Sequence, residues 1–444
     1  MSVIEIEKAD NLGAILQAFK LEPLNDSELL KFYNDKTMEC RTGDMYVSPM
    51  EDLFEECTIP MTANAHLLLG HRGCGKSTEL YYLKKRIEAA GQPVWIIDFE
   101  LEMNVFQANC WDVMLAVTEG LCKIADHKKI RGLDSVLELV SDYLRADREV
   151  IKETDKNIGA SAVFGAEAKS PPILREVLNL FSSFKAELRA NSATRDITKT
   201  KMERRASEWI SYTNEIANKI IGKLKGKQPV LIFENIDKIQ PPEKAMEIFH
   251  YHALAQMPFP IIYTFPISLY YDSGFSTIKD LYKPHILPMI KVRNIDKTEN
   301  FEGIGAILDI IGLRADSGLF DSEALKRLIM ATGGALRDLF SCIISSARRA
   351  NRRGADRIEM QDVRSSLSQL RSELTRSISQ PDYPKLANIY RDKKYKEQIE
   401  DSQFLLKQMQ ALIVLEYNET RWHDLHPLVA EFLMEQGYIH DSNR

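Results

Sequence analysis

Short, almost unbroken apolar runs, set between long stretches of helical spacing, give this chain its outline. Residues 65–69, 94–97, 230–233 and 260–264 are each dominated by consecutive apolar side chains, with Gly, Pro, Asp or Glu close by. Runs of this kind, without polar alternation, predict strands buried on both faces, as in a parallel sheet. Helical spacing over 77–89 and the turn Gly91-Gln92-Pro93 join the first two runs into a βαβ unit. A last strand is expected at about 286–292.

Between 98 and 230 the pattern is helical instead. Residues 110–126 and 134–144 have helical apolar spacing, as does the series Met202, Ala206, Trp209, Ile210, Ile216, Ile220. The Gly-, Ala- and Ser-rich stretch 159–172 reads as a flexible loop. Residues 1–60 form a mostly helical lead-in, with Asn25-Asp26-Ser27 as a cap before a helix at 28–33. After 295 the expected helices are 301–312, 322–331, 335–353 and 360–377. Two more, at 402–410 and 426–436, flank the apolar run 411–417. No repeat is present.

The expected fold is therefore α/β: a parallel sheet with a large helical insertion and a helical C-terminal half. The divisions fall at 1–60, 61–294 (insertion about 101–225), 295–378 and 379–444. A chain of 444 residues is long enough for two to four such units. Apolar content of 44%, charged content of 27% and a net charge of −6 are ordinary for a globular chain and exclude one that is basic overall. The first ten residues lack the layout of a secretory leader, and Pro258, Pro260 and Pro266 interrupt the most membrane-like stretch, 253–271. A cytoplasmic setting with no membrane partner is the expectation. The six cysteines have neither C-x-x-C nor Cys/His spacing, so neither zinc nor a disulfide framework is expected of them.

The chemistry concentrates where the first strand should end. Gly70-His71-Arg72-Gly73-Cys74-Gly75-Lys76-Ser77-Thr78 fits the G-x-x-x-x-G-K-[ST] phosphate-binding pattern. Gly70, Gly73 and Gly75 let successive backbone N–H groups turn toward one anion. Lys76 would place a charge on the β- and γ-phosphates, Ser77 a hydroxyl on Mg²⁺, and the following helix its positive N-terminal end. Cys74, at that helix start, is expected to fit there as a small residue, the alternative being a thiol that alkylates readily. Bound ATP with Mg²⁺ follows.

A nucleoside triphosphatase also needs an acid at the end of a strand beside this loop. Val230-Leu231-Ile232-Phe233-Glu234-Asn235-Ile236-Asp237 supplies one. Glu234 would hold the Mg²⁺ shell, and Asp237 would orient or deprotonate the attacking water.

Together, the phosphate loop, this acidic motif and the downstream helices resemble P-loop ATPases of the AAA+ and STAND type, in particular origin-recognition-type initiators and NACHT or NB-ARC switches. The resemblance spans about 61 to the C-terminus, apart from the insertion. It implies a P-loop NTPase domain, a helical lid and a C-terminal winged helix. It also places Thr264 at the sensor-1 position, and Arg337, within Thr332-Gly333-Gly334-Ala335-Leu336-Arg337, at sensor 2. His426, in Arg421-Trp422-His423-Asp424-Leu425-His426-Pro427, matches the histidine that touches bound diphosphate in NB-ARC switches, although Pro427 replaces the family's Asp. Those families usually carry Asp where Glu234 stands, and Asn235 replaces the catalytic Glu of many AAA+ members. No arginine finger is evident. These departures point to slow hydrolysis.

Two functions follow from the resemblance. The first is an ATP-dependent switch or assembly platform for a protein effector, with self-association, in a setting that analogy suggests is bacterial antiviral defence. The other is a DNA-binding ATPase of the initiator or transposition-regulator kind, using Arg348, Arg349, Arg352 and Arg353 or the basic stretch 195–227.

Overall fold

The computed structural model describes residues 6–42, 48–59, 64–154, 171–190, 200, 202–393, 402–417 and 422–440. The 159–170 part of the expected loop, with Arg195, Lys199, Lys201 and Arg421, lies outside them.

Five parallel strands, β1 (Ala65–Gly70), β2 (Val94–Asp98), β3 (Val230–Glu234), β4 (Ile261–Pro266) and β5 (Lys283–Ile286), form one sheet in the order β2-β3-β4-β1-β5. The order corrects one expectation. The acidic strand β3 does not adjoin β1; β4 lies between them. Both sheet faces are covered, which is why the strand runs carry so little polar alternation. Leu67, Leu69, Leu231 and Phe233 pack into one core, while Leu68, Val230, Ile232 and Ile262 face a second one beneath helices Pro49–Thr58 and Lys76–Ala89.

The final strand is earlier than expected, at Lys283–Ile286 rather than 286–292. Leu287 still donates its N–H to Leu69, but Pro288 has none to give and the ladder stops there. Pro284 is tolerated because β5 is the edge strand. The apolar 411–417 run is more than a connector. It contains β6 (Val414–Tyr417), which pairs antiparallel with β7 (Trp422–Leu425).

Among its described residues the insertion contains helices Cys110–His127, Asp134–Thr154, Pro172–Ala190 and Ala206–Lys223. They close around Trp209, whose ring lies 4.9 Å from Tyr143 and 6.1 Å from Phe181. Helices Phe301–Arg314, Ser322–Thr332, Leu336–Arg352 and Met360–Thr375 follow the sheet, and the C-terminal unit adds Tyr383–Asp392, Ser402–Gln410, the β6–β7 hairpin and Pro427–Glu435. The N-terminal helices bridge these parts. Phe19, after helix Leu12–Ala18, packs edge-on against Phe320 and Phe340. Among the described residues no helix is long and apolar enough to cross a membrane.

Candidate functional site

The phosphate loop turns sharply because two of its glycines adopt backbone angles that other residues avoid. Gly73 has φ +79° and Gly75 +104°. Gly75 stands at the N-cap of helix Lys76–Ala89 and makes no side-chain cap, so the first N–H groups of the helix remain available to an anion.

Lys76 is almost wholly buried. Its Nζ donates to the carbonyls of Gly70 (2.9 Å) and His71 (3.1 Å) and pairs with Asp237 at 3.0 Å. Burial opposes the charge on both partners, but their mutual attraction prevails. The Asp237 carboxyl is held below the usual carboxylate range by Lys76, with help from a hydrogen bond from Thr264, and the Lys76 ammonium is held above its ordinary value.

Asp237 reaches this position because Asn235 takes a left-handed turn (φ 64°) at the end of β3. The Asn235 side-chain amide donates to Asp98 at 2.9 Å, and the Ile236 N–H donates to the Thr264 hydroxyl at 3.1 Å. Thr264 lies on β4 opposite Leu68 of β1, and so spans the gap between the acidic strand and the loop strand.

Glu234 points the other way electrostatically. Burial, with Asp98 and Asp237 nearby, pushes its carboxyl above the usual range, and only a hydrogen bond from Ser77 and the charge of Lys238 act against this. Asp98 pairs with Glu234 in the ladder between β2 and β3. Three crowded carboxylates beside a serine hydroxyl form a donor set suited to Mg²⁺, which takes hard oxygen ligands. Ser77 and Glu234 would hold the ion.

One cavity gathers Gly73, Gly75, Lys76, Ser77, Thr78, Glu234, Asp237, Thr264 and Arg337 along one wall. Arg337 begins helix Leu336–Arg352. Its N–H donates to the Gly73 carbonyl at 3.3 Å, and a methyl group on Gly73 would lie 2.6 Å from the Arg337 Cβ. Three sequence-derived residues do not line this cavity. Gly70 is buried at the end of β1. Cys74 is fully buried in the core with Leu68 and Leu80, which favours the small fitted residue over ready alkylation. His426 is likewise fully buried and caps its own helix, accepting the Leu428 N–H at 3.3 Å, with Nε2 lying 3.7 Å from Asp338. It is not brought to the phosphate loop.

Another histidine meets the C-terminal unit at the loop. His71, buried within the loop, accepts the Glu416 N–H of β6 at 2.8 Å through Nε2. Next to it, Tyr417 donates to the Gly333 carbonyl at 2.7 Å. Burial, with Lys76 and His423 nearby, pushes His71 down to about 3, so the ring stays neutral and can accept.

Other contributors were not foreseen. Arg41, buried on the third N-terminal helix (Lys36–Thr42), donates to the Cys74 carbonyl at 2.6 Å and also to the Pro288 carbonyl. Tyr33 donates to Glu79 at 2.8 Å and stacks on Tyr82. Leu21, Leu24 and Phe32 add apolar lining to the same cavity. Nothing in local sequence marks these residues, because their partners lie far along the chain.

No protein-family model and no curated protein sequence matches the chain. Solved structures do. A Walker-type ATPase of Pyrococcus abyssi is similar over 94% of this chain and 99% of its own, at 14% identity and a TM-score of 0.45. Cdc6p of Pyrobaculum aerophilum is similar over 95% and 98%, at 11% identity and 0.39. The ORC1 protein of Aeropyrum pernix, solved in complex with DNA, is similar over 88% and 92%, at 11% and 0.39. The likeness is distant. The sheet, with its phosphate loop between β1 and the following helix, is an α/β P-loop fold on its own geometry.

Proposed function

We propose that this chain is an ATPase of the AAA+ kind that binds ATP with Mg²⁺ and uses the bound state as a switch, hydrolysing slowly. The observation that carries the reading is the convergence of Lys76, Ser77, Glu234, Asp237 and Thr264 in one cavity whose lining also includes Leu21, Leu24 and Phe32. The loop N–H groups and Lys76 bind the phosphates. Ser77 and Glu234 would hold Mg²⁺, which would neutralise phosphate charge. Asp237 is the nearest candidate to orient water, but it is clamped by Lys76 and Thr264 rather than free to take a proton. That clamp, with Asn235 beside it, favours slow turnover.

The switch reading rests on what touches the loop. Arg337 from the helical half meets Gly73, and β6 meets His71, so phosphates entering the loop would be felt by both. A protein effector and self-association follow from that reading, while the antiviral setting rests on analogy alone. The test is calorimetry with ATP and ADP, followed by phosphate release. Saturable ATP binding that is lost in Lys76→Ala supports the proposal; no nucleotide affinity in the native chain removes it. Phosphate release equal in native protein and Asp237→Ala would leave a nucleotide-stabilised scaffold.

A DNA surface is the second reading, carried by Arg348 and Arg352, both exposed near the end of helix Leu336–Arg352. Arg353 is already paired with Glu359 and Asp362. Salt-dependent duplex binding weakened by charge reversal at 348 and 352 is the outcome that reading requires.

A further inference from the structure

We propose that Glu56, His66 and His285 form a structural site for a divalent transition metal, zinc by the chemistry of the donors. The three come from separate elements: helix Pro49–Thr58, β1 and the edge strand β5. His66 and His285 lie on the same sheet face, since β1 and β5 pair His66 with Lys283 and Leu68 with His285. Helix Pro49–Thr58 covers that face and brings Glu56 down onto both rings. The residues are 6%, 0% and 4% exposed.

The donor atoms are close enough for one metal ion to reach all three. Glu56 Oε2 lies 2.9 Å from His66 Nδ1 and 3.3 Å from His285 Nε2, and the three donor atoms fall within 4.8 Å of one another. Donors about 2.0–2.2 Å from a tetrahedral ion stand roughly 3.3 Å apart. Despite these distances, none of the three atoms has an aligned hydrogen bond. The contacts that hold the three together are short but poorly aligned ion-pair contacts, Glu56 Oε2 facing both rings. Orphaned buried polar atoms cost free energy, and one ion would satisfy all three. Lys283 pairs with the other carboxylate oxygen, Oε1, so Glu56 offers a single donor. His66 Nε2 also has no partner among the described residues, a cost present with or without metal.

Two imidazoles and one carboxylate are borderline donors suited to zinc rather than to Mg²⁺ or Ca²⁺. The cluster is buried and lies toward the start of β1, while the phosphate loop leaves its end; three protein donors leave a water to complete a four-coordinate ion. Its role is therefore to fasten the short edge strand and the covering helix to the sheet. No cysteine takes part, so cysteine spacing carries no information about it.

The experiment uses the full chain, purified without chelator. Elemental analysis should find about one zinc per chain. Stripping with a strong chelator should lower the unfolding temperature, with recovery on adding Zn²⁺ but not Mg²⁺. Glu56→Gln and His285→Gln should each abolish the bound zinc while nucleotide binding, measured on the same samples, shows that the fold persists. The proposal is overturned if the native chain is zinc-free and its unfolding temperature does not respond to zinc. It is equally overturned if the zinc survives both substitutions. Should both variants fail to fold, native metal content and the chelator response decide alone. The outcome is independent of the nucleotide reading, since ATP affinity is measured separately.

Discussion

Lys76 and Asp237 hold each other in a site where neither charge could stand alone. Removing one partner of a buried pair typically costs about 3–5 kcal/mol, because the other is left buried and uncompensated. Lys76→Ala is therefore expected to lose stability as well as ATP affinity, and the double variant with Asp237→Asn should recover much of the stability but none of the affinity. Denaturant unfolding of the four proteins of that cycle checks this; additive losses would contradict it. The affinity loss should be on the order of 10- to 100-fold, as for other hydrogen bonds to charged groups. Gly73 makes a second residue-scale case. Its φ of +79° and the Arg337 Cβ 2.6 Å from an added methyl both oppose substitution. Gly73→Ala is expected to cost roughly 1–3 kcal/mol, read as a lower unfolding temperature, whereas Gly305→Ala, at a glycine with nothing within 4 Å of the added atom, serves as the control.

At the scale of elements, the unforeseen contact is β6 against the phosphate loop. His71 must be neutral to accept the Glu416 N–H, and burial keeps it so down to about pH 3. The unfolded chain protonates histidine near 6.5. Between those values the unfolded state binds the extra proton, so stability from this group is intact above about pH 6.5 and falls as pH drops toward 3. The slope approaches about 1.4 kcal/mol per pH unit. Buried His423, pushed down to about 4, acts in the same direction. His71→Gln keeps an acceptor for Glu416 and should flatten the acid side of the stability profile; an unchanged profile would refute the assignment. The strands themselves were legible as apolar runs because burial on both faces removes polar alternation. Their order was not: nothing in 230–234 says that β4 intervenes before β1. Pro288 shows the reverse case, a residue visible in the sequence that ends the β5 ladder inside an apolar run.

Across the whole molecule, three distant parts converge on one loop. Arg41 from the N-terminal helices holds the Cys74 carbonyl, Arg337 meets Gly73, and β6 meets His71. Tyr417 ties the hairpin to Gly333, at the corner that precedes Arg337. Tyr417→Phe leaves that buried carbonyl without its donor and is expected to cost about 1–3 kcal/mol, visible as faster backbone hydrogen exchange in 333–338 and 414–417. ATP against ADP should change exchange in those same segments. Identical protection in both nucleotides would mean that the C-terminal unit does not read the site.

Local sequence alone determined the phosphate loop, the buried strands, the acidic motif and the helical insertion, because each depends on residue type and short spacing. The resemblance put His426 at a bound diphosphate, and nothing in the local sequence says that its ring caps its own helix and faces Asp338 instead. The tertiary structure decided which strand separates the two halves of the site and which histidine meets the loop. It also decided that Cys74 turns inward, and that Glu56, His66 and His285 converge. These depend on register and packing between segments far apart in the chain. Such contacts are set by the global burial of apolar faces, which leaves no local pattern to read.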